Sequence, residues 1–237
     1  MNTRSFLLKV VALLSALFFT VAYPETGCFL ADKLAIGFSI KWLYIHHLVQ
    51  LLLALVTILI INVAIGNKFS WGLNANQWRR SLKIALLFAA GWFVVTLAVN
   101  LLIDTPQQID YEPTSKNILE DLFFDLVITG VSEEILFRGL VMGVLLHAFK
   151  GILRVGALRV SVAGVISALF FSLAHIGIDP RSFTVDHFSP LQMSFAFGLG
   201  IFYAVMRDKT GSLLGPVVAH GASDGIITIV QLFRLFC

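Results

Sequence analysis

Leu122 to Phe149 reads LFFDLVITGVSEEILFRGLVMGVLLHAF, and this stretch decides the fold. It is long enough to cross a bilayer, which takes about 20 predominantly apolar residues. Yet Glu133, Glu134 and Arg138 stand in its middle. An ionisable side chain at bilayer depth costs about 2.5–3.5 kcal/mol on insertion scales, so such residues face a polar cavity, find partners and mark function. Two later apolar segments offer those partners: Phe171-Ser172-Leu173-Ala174-His175 and His220-Gly221-Ala222-Ser223-Asp224.

Composition sets the solvent. The chain has 237 residues, of which 58% are hydrophobic and 13% charged, and its mean hydropathy is +0.89. That leaves too little polar surface to cover a soluble globule of this size. The expected fold is all-α, a polytopic transmembrane bundle of about seven spans, with six to eight as the range. The spans are read near 5–23, 43–65, 82–103, 118–149, 160–178, 190–206 and 212–233. Residues 1–113 form N-terminal membrane helices with an interfacial segment, and residues 114–230 form the core that carries the charged motifs, within one integrated membrane domain.

Lys and Arg set the expected orientation. With the N-terminus cytoplasmic, eleven of them fall on the inner side, among them Arg4, Lys9, Lys68, Lys150, Arg159 and Lys209. Five fall outside: Lys33, Lys41, Lys116, Arg181 and Arg234. An N-in, C-out arrangement satisfies this bias. Arg4 and Lys9 before an apolar run also suit a signal peptide cleaved after Thr20-Val21-Ala22, but an uncleaved first helix is preferred because further spans follow. The net charge of +3 reflects this orientation, and no basic patch interleaved with aromatics points to nucleic acid.

Between the spans the chain is plain. Residues 67–80, with Trp71, Trp78, Arg79 and Arg80, suit either a segment lying in the membrane interface or an ordinary loop. Residues 104–117 read as an outer loop, with Thr114 or Ser115 capping the helix that follows. Cys28 and Cys237 fall on one side and read as unpaired thiols, a disulfide being the alternative. Gly139 and Gly143, at GxxxG spacing, favour close helix packing. His46 and His47 are placed near an interface, where solvated histidines are ordinary.

Helical spacing separates the roles of the adjacent carboxylates. Glu134 and Arg138 are four apart on one face with the acid N-terminal, which suits an ion pair. Glu133 points about 100° away and stays free for a cavity. His220 and Asp224 are also four apart, as are Phe171 and His175. Counted from the nearest cytoplasmic charge at ~1.5 Å per residue, Glu133 lies about 25 Å deep, His175 about 24 Å, and His220 and Asp224 about 17–22 Å. Three helices thus deliver a carboxylate, an imidazole, and an imidazole with a carboxylate to one level. Such a cluster activates water either by general-base pull from Glu133 and His175 or through a bound divalent metal.

In order and spacing, Glu133-Glu134-x-x-x-Arg138, Phe171-x-x-x-His175 and His220-x-x-x-Asp224 resemble the CAAX prenyl endopeptidase and bacteriocin-processing family of intramembrane proteases, also called CPBP or Abi. The resemblance covers about residues 114–230 and implies peptide-bond hydrolysis in the membrane, at a catalytic site formed by three or four helices. By that likeness Glu133 is the general base holding water with His175, Glu134 and Arg138 set the geometry, and His220 with Asp224 stabilises the oxyanion or holds a metal. The last position is commonly Asn in the family, whereas an ionised Asp224 only accepts hydrogen bonds. Asp224 must therefore be protonated, orient His220 or ligate a cation. If a metal such as zinc is the cofactor, its ligands are Glu133, His175, His220 and Asp224; the same residues serve a metal-independent reaction equally well.

The expected partners are a membrane-associated peptide or protein substrate and the lipid bilayer, in a bacterial inner membrane. A non-catalytic immunity or scaffold protein of the same fold is the first alternative. An ion-coupled transporter is the second, although no internal repeat is visible.

Overall fold

The computed structural model describes residues 3–35, 39–66, 68–102, 111–179 and 184–236. Among these residues the chain forms seven helices and two small hairpins: α1 (Thr3–Leu34), α2 (Ile40–Ile65), α3 (Trp78–Leu102), α4 (residues 115–148), β1 (Ile152–Val155), β2 (Leu158–Ser161), α5 (Val162–Leu173), β3 (Gly177–Asp179), β4 (Thr184–His187), α6 (Pro190–Thr210) and α7 (Leu214–Phe236). Cys237 and the 104–110 part of the expected outer loop lie outside the described residues. Each helix falls on one of the seven apolar segments. Four of them, α1, α2, α3 and α7, are long and apolar enough to cross a membrane. The protein is therefore an integral membrane helical bundle.

The segment read as a span over 160–178 is shorter than expected. Only Val162–Leu173 is helical, about 18 Å of rise against a hydrocarbon core of about 30 Å. Its start is fixed by the β1–β2 hairpin, whose antiparallel register pairs Ile152 with Ser161. Ser161 then caps α5, its hydroxyl accepting from the Gly164 amide at 2.9 Å. At the other end β3 pairs with β4 across Gly177 and His187. Hydropathy alone merges a short helix with its flanking strands.

Helix α4 is the centre of the bundle and packs against α1, α2, α5, α6 and α7. Its residues Leu136, Phe137, Leu140, Val141, Met142 and Leu145 are buried to within 2% exposure. A helix apolar all round belongs inside. Thr114 caps its start, accepting from the Asn117 amide at 3.2 Å. Two π-helical turns interrupt it, at Phe124–Thr129 and Ile135–Val141. Such turns are rare and occur frequently at functional sites, and here they flank the α-helical segment Gly130–Glu134. Ser167 of α5 donates to the Phe137 carbonyl within the second π-turn at 2.8 Å, satisfying a backbone group that water cannot reach.

Small residues bring the other helices close. Ala12, Ala16, Thr20, Gly27 and Ala31 form the buried face of α1, and α1 packs along α2. A Cβ on Gly130 would lie 2.7 Å from the Val217 carbonyl oxygen, and one on Gly221 would run into the carbonyl of Leu126. Helices α4 and α7 therefore touch backbone to backbone beside the charged motifs. We expect Gly221→Ala to cost about 1–3 kcal/mol, the usual penalty of overpacking. Thermal unfolding in detergent reads this, and an unchanged midpoint would show that the close approach is not required.

Two further expectations meet different surroundings. Gly143 faces Trp71, whose ring would lie 2.6 Å from a Cβ there, and Gly139 faces Leu213 at 3.4 Å. The GxxxG pair is thus spent inside the molecule. Trp71 is buried within the protein, and its indole N–H donates to Asn62 Oδ1 at 2.7 Å. Trp78 does remain half exposed, with the Arg79 guanidinium 5.3 Å from its ring.

Candidate active site

The second π-turn sets Arg138 almost above Glu134, and the pair is wholly buried. Arg138 Nη1 donates to Glu134 Oε1 at 2.8 Å, with both side chains 0% exposed. The same oxygen accepts from His220 Nδ1 at 2.8 Å. Arg138 Nε and Nη2 have no hydrogen-bond acceptor, and Glu134 Oε2 has no donor, among the described residues. Two rings take the place of those acceptors: the guanidinium carbon sits 4.2 Å from the Phe171 centroid and 5.3 Å from that of Tyr203. Cation–π attraction is strongest where water is excluded.

Glu133 differs from its neighbour in every respect. Its side chain keeps 18% exposure, and its nearest basic contacts are long, 3.7 Å from Oε2 to His220 Nε2 and 4.0 Å from Oε1 to His47 Nδ1. One carboxylate is locked and the next is free, a consequence of adjacent residues pointing about 100° apart on a helix.

Each imidazole has one nitrogen committed. His220 gives Nδ1–H to Glu134, which leaves Nε2 facing Glu133 Oε2 at 3.7 Å and Asp224 Oδ2 at 3.5 Å. Its ring stacks on Tyr203 with centroids 5.1 Å apart. Asp224 Oδ1 accepts from the Ser223 hydroxyl at 3.2 Å. His175 Nδ1 lies 2.8 Å from the Phe171 carbonyl oxygen. A carbonyl only accepts, so Nδ1 carries the proton and Nε2 presents a lone pair in the neutral ring. His175 makes no ion pair with Glu133 among the described residues, yet lies within electrostatic reach of both Glu133 and Asp224. Phe171 joins the motifs, meeting Phe137, His175 and His220 edge to face at 4.9–5.6 Å.

Glu133, Glu134, Arg138, His220 and Asp224 therefore form one contact network, with His175 at its edge. Among the described residues no group of three His, Cys, Asp or Glu side chains is arranged to hold a metal ion. Nδ1 of His175 and of His220 is bonded within the protein, which leaves Nε2 of each as the free nitrogen, the usual state of a metal-ligating imidazole.

Residues 115–226 match the family model described as Type II CAAX prenyl endopeptidase Rce1-like. Over this segment the chain is similar to that family. The chain is also similar to the membrane-embedded CAAX protease MroQ of Staphylococcus aureus (strain USA300), with 27% identity over 197 residues, covering 79% of this chain and 74% of that protein. No solved structure gives a significant match. At family level these likenesses support an intramembrane protease, in agreement with the resemblance carried by the three motifs.

One residue beside the site comes from outside the matched residues 115–226. His47 of α2 is 7% exposed. Its Nδ1 lies 2.7 Å from Ser132 Oγ and 4.0 Å from Glu133 Oε1. Ser132 Oγ in turn donates to the Thr129 carbonyl at 3.2 Å, so the hydroxyl accepts from His47 Nδ1–H. Sequence reasoning leaves His47 near an interface. Its place within an apolar helix, two turns past Lys41, is the available signal; the packing of α2 on α4 is not visible there.

Proposed function

We propose that the chain is an intramembrane endopeptidase that hydrolyses a membrane-associated peptide or protein segment with water activated by Glu133 and His175. What supports this reading is the contrast between the adjacent carboxylates. Glu134 is spent on Arg138 and His220 at 2.8 Å, while Glu133 remains partly exposed with no contact to a basic group shorter than 3.7 Å among the described residues. A general base must be free to take a proton within reach of its water.

In this scheme a water sits between Glu133 and Nε2 of His175. Glu133 takes its proton as the oxygen attacks the scissile carbonyl. His220, protonated on both nitrogens and oriented by Glu134 through Nδ1–H, directs Nε2–H toward the developing oxyanion, and Asp224 holds that edge of the ring. Glu133 then returns the proton to the leaving amine. Aimed donors of this kind contribute about 2.7–4 kcal/mol each to acyl-transfer transition states. The reading includes a cytoplasmic N-terminus, as the positive charges suggest, and a zinc-assisted variant of the same hydrolysis is the alternative that metal analysis separates.

The test uses protein reconstituted in liposomes with a pool of membrane peptides in ¹⁸O-water. Hydrolysis places ¹⁸O in the new C-terminal carboxylates, which mass spectrometry reads whatever peptide in the pool is cut. Labelled termini that appear only with the protein are expected. Peptide capture without any labelled terminus would instead make it a binding or immunity protein.

His47 acts in this scheme as a positioning residue through Ser132 and the Glu133 carboxylate. His47→Leu is expected to lower kcat about tenfold, the scale of one lost orienting hydrogen bond, with KM unchanged. An unchanged kcat, or a change confined to KM, would remove His47 from the site.

A further inference from the structure

At the end of the bundle that holds Lys150 and Lys209, a cleft of about 630 Å³ opens between the C-terminus of α4, the β1–β2 hairpin, the C-terminus of α6 and the α2–α3 connection. Its walls are apolar, formed by Leu146, Phe149, Ile152 and Val160. Its rim carries three cations: Lys150, Arg159 and Lys209. None of the three makes an ion pair among the described residues. The acid in the lining, Asp208, is engaged, its Oδ2 accepting from the Ser161 amide at 2.7 Å.

Three further observations raise the positive charge around it. Lys9 of α1 is held 5.8 Å from the ring of Phe149, one of the wall residues. Arg207 is buried beside Asp208, and its guanidinium donates to the carbonyl of Ser70 in the lining. In the hairpin, Arg154 stands directly opposite Arg159. Like charges opposite one another destabilise a strand pair, and an anion between them removes that cost.

We infer that this cleft binds the phosphate group of an anionic phospholipid. The phosphate fits the unpaired cations, and the apolar walls suit the adjoining acyl chains better than they suit a free inorganic ion. Position agrees with this, because Lys150 follows the end of α4 and Lys209 stands in the last turn of α6, and clustered cations of this kind mark the cytoplasmic surface of a membrane protein. The hairpin also exposes Ile152, Leu153 and Leu158 by 41–58%, apolar surface that a lipid interface covers. Basic pockets beside membrane helices are a recurrent way of holding acidic headgroups.

Native mass spectrometry of the detergent-solubilised protein with equal phosphatidylglycerol and phosphatidylcholine tests this. Wild type is expected to retain phosphatidylglycerol with roughly 100-fold preference, the effect of three cations at their usual strength near an anionic surface. The triple variant K150Q/R159Q/K209Q changes only exposed side chains, and its preference is expected to fall to near parity. The charge-keeping variant K150R/R159K/K209R is expected to retain it. Equal binding of both lipids by wild type overturns the inference, as does a preference that survives the triple Gln substitution. Displacement of the lipid by inorganic phosphate would assign the site to a soluble anion and overturn the lipid as occupant.

Discussion

Glu133→Gln is expected to abolish peptide hydrolysis, lowering kcat by about 10²–10⁴-fold, the range that a positioned general base contributes. Gln is nearly isosteric with Glu and remains able to meet His220 and His47 as an amide, but it takes no proton from water. The existing contacts at 3.7 and 4.0 Å are too long to be strong, so little stability rests on them. Far-UV circular dichroism, elution volume and unfolding midpoint are therefore expected to match wild type while ¹⁸O incorporation falls to background. Retention of full hydrolysis would remove Glu133 as the base. In a host assay of immunity, protection surviving this substitution would point to binding in place of proteolysis.

Arg138→Ala is expected to act in the opposite way, through the fold. Removing one partner of a fully buried ion pair costs about 3–5 kcal/mol, because it leaves the other charge uncompensated. Here it leaves Glu134 at 0% exposure with His220 as its remaining partner, and it empties the space between Phe171 and Tyr203. Removing both charges separates the cause. E134Q/R138M keeps an acceptor for His220 Nδ1–H and refills the volume, so it should recover stability relative to Arg138→Ala even though it lacks one more charge. Thermal unfolding of the two variants checks this. If the double variant is the less stable, the pair contributes more than its desolvation costs, and the framework reading of Glu134 and Arg138 must be revised.

The motif residues are legible in the sequence because the membrane makes charge conspicuous. Glu133, Glu134 and Arg138 stand out in an apolar helix, and i, i+4 spacing correctly pairs Glu134 with Arg138. Rough depth counting places His220 and Asp224 at the level of Glu133, where the structure has them in contact. Periodicity says which residues share a face, but not which helices neighbour one another. His47 is illegible for that reason: only the packing of α2 against α4 brings it to Ser132 and Glu133. Hydropathy likewise does not distinguish a strand from a helix in a short apolar run, so Ile152–Val155 and Leu158–Ser161 are absorbed into loops and spans. Nor does any sequence signal announce the π-turns around Gly130–Glu134, which arise from how α4 fits its neighbours.

The most direct measurement is hydrolysis by one set of purified samples whose metal content is measured alongside: wild type before and after exhaustive chelation, Glu133→Gln and His175→Ala. Activation of water by Glu133 and His175 predicts that metal-free wild type keeps its full rate and that both variants lose theirs. Loss of activity on chelation with recovery on adding zinc, in near-stoichiometric amounts that His175→Ala fails to bind, would contradict it and assign the site to a metalloprotease.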